Sequence, residues 1–257
     1  MRPRLKAFCS FGSMKLNKIY NEDCLKGMKR IPDKSIDMIL CDLPYGTTRN
    51  KWDSIIPLDK LWEQYNRIIK DNGAIVLTAQ TPFDKVLGIS NIANLRYEWI
   101  WEKDSGTGFL NAKKMPLKSH ENILVFYKKI PVYNPQMREG FKPYTTKKGH
   151  HGSNYGEDKG AITSSGGTRY PITSLKFNRD KNKLHPTQKP VALFEYLIQT
   201  YTNEGDIVLD NCIGSGTTAV AAINTNRQFI GFEKEKEYFD VAIERIKKAS
   251  EEDDSKV

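Results

Sequence analysis

Val208-Leu-Asp-Asn-Cys-Ile-Gly-Ser-Gly-Thr-Thr-Ala219 is an apolar run that breaks into two glycines and then into helix-compatible residues. Ile207 to Leu209 has the length and character of a buried parallel strand, and Thr217 to Asn224 fits a helix. The turn between them, Gly214-Ser-Gly216, lets a ligand approach the backbone closely, beside the free N–H groups and positive dipole end of a helix. Gly214 to Ala219 satisfies G-x-G-x-x-G/A, and Glu233, at the end of the next strand (Phe229 to Phe232), stands where a carboxylate accepts hydrogen bonds from ribose hydroxyls. A β-α-β unit for a nucleotide-containing ligand is expected; the alternative is a tight strand-to-helix turn with no ligand. After Thr217 there is room for one more strand and two helices. A parallel sheet must then be completed by strands from the N-terminal half, so that its first β-α-β unit comes last in the chain.

The expected partner strand is Ile36 to Cys41 (IDMILC), short, apolar and bounded by turn residues. It runs into Cys41-Asp-Leu-Pro-Tyr-Gly46. Leu43, preceding a proline, is driven toward extended geometry, and Pro44 has a fixed φ and no N–H. The outcome is a stiff turn at the C-terminal edge of a strand, where open α/β sheets place their ligands. It presents the Asp42 carboxylate, free carbonyls and the ring of Tyr45. Those groups suit an exocyclic amine on a base, as acceptors for its N–H bonds and as a surface for stacking. An ordinary strand-to-loop turn is the plain alternative.

Further strands are expected at Lys18 to Asn21, Ala74 to Ala79, Arg96 to Lys103 and Asn122 to Lys128. Helices are expected at Cys24 to Arg30, at 58 to 69 with Asn72-Gly73 ending the run, from about Pro82, from Pro190, and finally along Tyr238 to Ile246. The chain of 257 residues has 40 Lys and Arg against 31 Asp and Glu, a net charge of +9. Residues 127 to 189 hold 13 basic and 4 acidic side chains, so this one segment carries the whole excess. It also holds 7 of the 18 glycines, the composition of a long loop or small insert that meets a polyanion; a solvated loop is the alternative. Cys9, Cys24, Cys41 and Cys212 form no C-x-x-C pair, which argues for reduced thiols in a cytoplasmic protein rather than a zinc ribbon or disulfide framework. His120-Glu121 begins like H-E-x-x-H, but Leu124 breaks that motif, and no metal is expected. No apolar run approaches the ~20 residues of a membrane-spanning helix, and the first 13 residues carry no apolar core of a secretory signal.

Taken together, these motifs resemble those of the S-adenosylmethionine-dependent DNA amino-methyltransferases in the permuted, β-class arrangement. Asp42-Leu-Pro-Tyr45 is similar to the family's D-P-P-Y, with Leu43 for the first proline. Asp210 to Thr218 is similar to D-P-F-x-G-S-G-T-T, with Asn211-Cys212 for Pro-Phe. His185-Pro-Thr-Gln-Lys-Pro190 matches H-P-T-x-K-P, and Asn21-Glu-Asp-Cys24 resembles the N-terminal G-D-C element, with Glu22 for Gly.

The resemblance implies an α/β, Rossmann-like methyltransferase fold with a mixed, mostly parallel sheet in circularly permuted order. The expected divisions are a disordered N-terminal extension (1–13), a catalytic half (14–130), a basic target-recognition insert (131–184), a cofactor half (185–249) and an acidic tail (250–257) whose Glu251 to Asp254 are expected to be frayed or disordered. It implies methyl transfer to the N6 amine of a flipped-out adenine, with N4 of cytosine as the alternative; a nicotinamide-dependent oxidoreductase would share the glycine turn. Asp42, Leu43, Pro44 and Tyr45 are then catalytic. Asp23, Cys24, His185, Thr187, Lys189, Asp210, Gly214, Ser215, Gly216, Thr217, Thr218 and Glu233 would hold S-adenosylmethionine, Lys189 at its carboxylate. Lys142, Lys147, Lys148, Arg169, Lys176 and Arg179 would meet double-stranded DNA. A homodimer and a restriction endonuclease partner are further implied, in a bacterial or phage-encoded protein near the nucleoid.

Overall fold

The computed structural model describes residues 10–11, 13–46, 53–147, 152–153, 156–157, 162–180 and 188–254. Its strands in chain order are β1 (Ser10–Phe11), β2 (Met14–Lys15), β3 (Lys18–Asn21), β4 (Ile36–Asp42), β5 (Ile69–Ala79), β6 (Leu95–Thr107) and β7 (Lys118–Phe126). They continue as β8 (Tyr144–Lys147), β9 (Gly152–Ser153), β10 (Gly156–Glu157), β11 (Ile162–Ser165), β12 (Ser174–Lys176), β13 (Ile207–Asp210) and β14 (Gln228–Glu233). The helices are α1 (Cys24–Met28), α2 (Leu58–Ile68), α3 (Phe83–Ser90), α4 (Val191–Tyr201), α5 (Thr217–Asn224) and α6 (Lys236–Asp254).

Eight strands form one sheet in the order β12-β6-β7-β5-β4-β13-β14-β3. Only β7 runs antiparallel to its neighbours, β5 and β6. Strands β4 and β13 pair in parallel at the centre, Val208 opposite Met38 and Leu209 opposite Ile39. From β4 the chain builds toward β5, and from β13 toward β14, so a topological switch point lies between them. That is the crevice in which open α/β sheets bind ligands.

The period-2 alternation of a strand divides β4 between two cores. Ile39 and Cys41 join one with Leu61, Tyr65, Ile68 and Phe83 from α2 and α3. Met38 and Leu40 join the other with Leu193, Phe194, Leu197 and Ile198 from α4 and Ala219 and Ala222 from α5. Helices therefore cover both faces, and a central strand needs an apolar residue at almost every position, which explains IDMILC.

Four local expectations are revised. Asn72-Gly73 does not end a helix: α2 stops at Ile68 and β5 starts at Ile69, with a register shift between Ile36 and Met38 opposite it. A Cβ on Gly73 would sit 2.7 Å from the Ile69 side chain and 2.8 Å from the Asp37 carbonyl, so the glycine serves this irregular stretch of strand. The acidic residues Glu251 to Asp254 continue α6, where Lys247 meets Glu251 one turn on. Within the N-terminal extension, Ser10–Phe11 pairs antiparallel with Met14–Lys15. Finally, Pro135–Ile172 forms a compact unit of its own, shorter than the expected insert, because β12 belongs to the main sheet beside β6.

Within that unit β8 pairs antiparallel with β11 and β9 with β10, and Arg138 and Arg169 exchange backbone hydrogen bonds of 2.8 Å. Among the described residues no helix is long and apolar enough to cross a membrane.

Candidate active site

A cavity of about 420 Å³ opens at the C-terminal ends of β4 and β13 and is lined by residues of both motifs. At its β13 end, Gly214 (φ +52°) and Gly216 (φ +86°) adopt the left-handed region, and Gly216 caps the N-terminus of α5. At Gly216 a Cβ would also press on Ala242 at 3.1 Å, whereas at Gly214 nothing lies within 4 Å. The Gly214 N–H donates to Glu233 Oε2 at 2.9 Å and the Glu235 N–H to Oε1 at 2.8 Å. Burial raises the Glu233 pKa above the usual carboxylate value.

Asp210, at the end of β13, accepts from the Thr218 hydroxyl and from the Cys212 N–H at 3.0 Å. Burial outweighs these bonds and lifts its pKa to about 7. Ser215 donates to Gln188 at 3.3 Å, and Arg245 from α6 donates to the Ser215 carbonyl at 2.8 Å. Thr217 donates to the Lys189 carbonyl at 3.5 Å, tying the glycine turn to the chain entering α4. Asp23 caps α1 by accepting from the Lys26 N–H at 3.1 Å, and it lines the cavity together with Cys24.

Asn211-Cys212 has a structural account. The Asn211 amide accepts from the buried Tyr65 hydroxyl and donates to Cys24 Sγ at 3.6 Å and Cys212 Sγ at 3.4 Å. Cys41 adjoins Cys212 as well, so three cysteines far apart in sequence meet at the cavity, Cys24 and Cys212 lining it. Burial pushes the Cys41 thiol up to about 12, which leaves it a packing group.

At the other end of the cavity Asp42 is fully engaged. Its Oδ1 accepts from the Tyr45 hydroxyl at 2.6 Å and from the Thr78 hydroxyl; its Oδ2 accepts from Lys189 Nζ at 2.6 Å. Lys189, expected at a cofactor carboxylate, bridges Asp42 and Glu121, the latter at 3.2 Å. Glu121 also meets Lys103 at 2.7 Å and accepts from Gln80 at 2.9 Å. Burial opposes ionisation of Glu121, but the two lysines override it and hold its pKa down to about 2. The same two carboxylates raise the Lys189 pKa despite its burial. Asp42, Lys189, Glu121 and Lys103 are thus a charge-balanced chain of four. Tyr45 stacks on Phe83 with centroids 5.5 Å apart, while burial beside Asp42 keeps its phenol neutral and donating. Leu43 is buried in the core and Pro44 lines the cavity.

The residues expected at DNA separate. Lys142 is exposed on the 135–172 unit, and Lys147 ends β8. In the same unit the Arg169 guanidinium donates to the carbonyls of Thr168 (2.7 Å) and Lys142 (2.8 Å) and covers the Tyr144 ring at 4.3 Å. Arg169, half-buried, therefore helps hold the unit together. Lys176 and Arg179 belong to the main body, paired with Glu102 at 3.4 Å and Asp104 at 2.8 Å. His185, Thr187 and Lys148 lie outside the described residues.

No motif in the sequence marks Thr78, Gln80, Lys103 or Glu121 as site residues. Thr78 had a visible signal, as the one hydroxyl in the apolar run AIVLTA. Glu121 and Lys103 come together through pairing of β6 with β7, which sets Trp101 opposite Glu121.

The profile of the DNA methylase family, N6_N4_Mtase, matches residues 36–244. The chain belongs to this family. As a DNA methylase it is 33% identical over 259 residues to the type II methyltransferase M.BglII of Bacillus subtilis, covering 91% of this chain and 69% of that protein. It is 29% identical to the DNA adenine methyltransferase YhdJ of Escherichia coli (strain K12), covering 90% and 83% respectively. Among solved structures, the M1.HpyAVI–SAM complex aligns with TM-score 0.63 and 28% identity over 89% of this chain and 98% of that one. The cytosine-N4-specific PvuII DNA methyltransferase aligns with TM-score 0.67 at 17% identity, over 91% of this chain and 90% of that one, a likeness of fold. The Rossmann-like α/β architecture of this DNA methylase is thus shared with its relatives.

Proposed function

We propose that the protein transfers a methyl group from S-adenosylmethionine to N6 of adenine in double-stranded DNA. The observation that carries this reading is the shared cavity, which joins Asp42 and Tyr45 to the Gly214–Thr218 turn, Glu233 and Asp23. The open space at Gly214 and the cavity-facing carboxylates of Glu233 and Asp23 suit an adenosyl ligand. Glu233 would hold the ribose hydroxyls, Asp23 and Cys24 the adenine ring, and Asp210 with the Gly214–Thr218 turn the methionine part. The donor supplies an electrophilic methyl group on a sulfonium; the rest of the work falls to the protein.

The exocyclic nitrogen is a poor nucleophile, because its lone pair is delocalised into the ring. A target adenine must leave the duplex, which costs a few kcal/mol, before stacking in the site recovers part of that cost. Asp42 and a carbonyl at Leu43 or Pro44 would accept its two N–H bonds and draw the nitrogen toward tetrahedral geometry. As the nitrogen–carbon bond forms and the methyl–sulfur bond breaks, a neutral thioether would be left and the amine gains positive charge; the preoriented Asp42 carboxylate stabilises that charge selectively and then accepts the surplus amine proton. Tyr45, Thr78 and Lys189 already occupy both Asp42 oxygens, so the arriving amine exchanges with one of these donors while the others hold the carboxylate in place.

Asp42 favours adenine because, by family resemblance, cytosine-N4 enzymes more often carry Ser there. A homodimer and a restriction endonuclease partner are also proposed on that resemblance, and are checked by sedimentation and by restriction of unmethylated DNA beside this chain. Sequencing of modified bases in DNA from cells expressing the protein tests the main reading. It should find N6-methyladenine at one recurring sequence; N4-methylcytosine there, or unmodified DNA, would overturn it. Stabilisation by NAD and not by S-adenosylmethionine would point to an oxidoreductase instead.

A further inference from the structure

Strands β6 and β7 form a hairpin whose root and tip differ in character. At the root, Lys103, Thr107 and Glu121 line the cavity beside Asp42 and Tyr45. Beyond it, every residue from 108 to 120 is exposed. The arms close tightly, since a Cβ on Gly106 would lie 2.7 Å from the Leu117 side chain, and Gly108 (φ +88°) turns the chain into a single 3-10 turn, Phe109–Asn111. That turn carries the two most exposed large apolar side chains among the described residues other than Ile130: Phe109 at 80% and Leu110 at 99%. The rest of the hairpin end, Ser105 to His120, holds Lys113, Lys114 and Lys118 and no acidic residue.

An apolar tip held out in water is costly unless something covers it, and its surroundings select what does so. Three lysines without a counter-charge attract a polyanion. Apolar side chains between cations match proteins that insert Phe or Leu between base steps, whereas a protein partner's apolar patch gives no reason for an acid-free rim. The position adds a reason of its own. A base turned out of a duplex leaves a gap in the stack, and the hairpin whose root lines the cavity ends in a projecting apolar tip.

Resting on the DNA methyltransferase reading, we propose that Phe109 and Leu110 are a wedge that enters the base stack of duplex DNA as the target base leaves it, with Lys113, Lys114 and Lys118 on the flanking phosphates. The wedge lowers the cost of an empty stack and so favours the turned-out base. Its benefit is confined to substrates in which the target is paired and stacked.

The test compares wild-type protein with the Phe109→Ala/Leu110→Ala double variant on 20-mer duplexes containing the methylated sequence. In one duplex the target base is paired; in the other it faces an abasic site. Both side chains are solvent-exposed, so the melting temperature should not change. The expected result is a loss of about tenfold or more in kcat/KM on the paired duplex and a much smaller loss opposite the abasic site, where the cost of opening is already reduced. 2-Aminopurine at the target should brighten less with the variant. Equal losses on both duplexes, or none on either, would overturn the wedge and leave the methyltransferase reading standing. A variant that sediments as a smaller species with uniform loss would make the tip an interface between copies, and overturn it too. Absence of methyl transfer by the wild-type protein on either duplex would overturn both.

Discussion

The two ends of the cavity solve opposite electrostatic problems. At the β13 end, the buried Asp210 and the half-buried Glu233 sit among neutral donors (hydroxyls and backbone N–H groups), and both are held above the usual carboxylate pKa. At the β4 end, the half-buried Asp42 and the buried Glu121 pair with lysines, and Glu121 is held far below it. One end holds carboxyl groups that resist ionisation for want of a cationic partner, and a cationic ligand would favour their charged form. The other is neutralised in advance, with its carboxylate fixed in position. A sulfonium donor with an α-ammonium group suits the first end; a neutral amine that becomes cationic only during reaction suits the second.

The largest effect expected from breaking this contrast is catalytic. Asp42→Asn keeps the shape of the β4 end but removes its charge, and should lower methyl transfer by about 10²–10³-fold or more, as when a preorganised electrostatic group is removed. Calorimetry should find donor affinity within about twofold of wild type, since the β13 end is untouched.

Next in size is stability. Lys189→Met leaves Asp42 and Glu121 without their shared buried partner. Breaking a buried ion pair costs about 3–5 kcal/mol. The urea midpoint should fall accordingly, with the m-value unchanged.

The third prediction is a pH dependence of opposite sign at the two ends. The folded-state pKa of Asp210 is raised to about 7, so its favourable contribution is complete below its ordinary value and lost as pH rises through 7. For Glu121, depressed to about 2, the contribution is present above its ordinary value and lost as pH falls toward 2. Between pH 5 and 7, Asp210→Asn should therefore remove a decline of up to about 1.4 kcal/mol per pH unit, read from melting curves without ligand. Binding of a cationic donor should strengthen over the same range in wild type and less in the variant.

The smallest effects are expected away from the cavity. Lys142→Ala should flatten the salt dependence of DNA binding by about 0.9 in log–log slope if it meets one phosphate. Arg169→Ala should mainly destabilise the 135–172 unit, because its guanidinium serves that unit's carbonyls and rings.

Much of this was legible in the residues. IDMILC, the glycine turn and Glu233 lead to the central strands, the switch point and the β13 end of the cavity, because a buried strand and a left-handed turn each leave a local mark. The charge-balanced chain at the β4 end left none. Lys103, Glu121 and Lys189 are distant in sequence, and only the β6–β7 register and the entry to α4 bring them to Asp42. The H-P-T-x-K-P resemblance thus gives no hint that the Lys189 amine meets Asp42 and Glu121. Arg169 shows the same limit on a charged segment: composition counts a cation, while folding sets which carbonyls and rings it meets.

The most direct measurement is mass spectrometry of nucleosides from unmethylated DNA incubated with S-adenosylmethionine and either wild-type or Asp42→Ala protein, each shown by calorimetry to bind the donor. The account predicts N6-methyladenine from the wild-type protein and none above background from the variant at equal donor occupancy. Undiminished methylation by the variant, or N4-methylcytosine as the wild-type product, would contradict it.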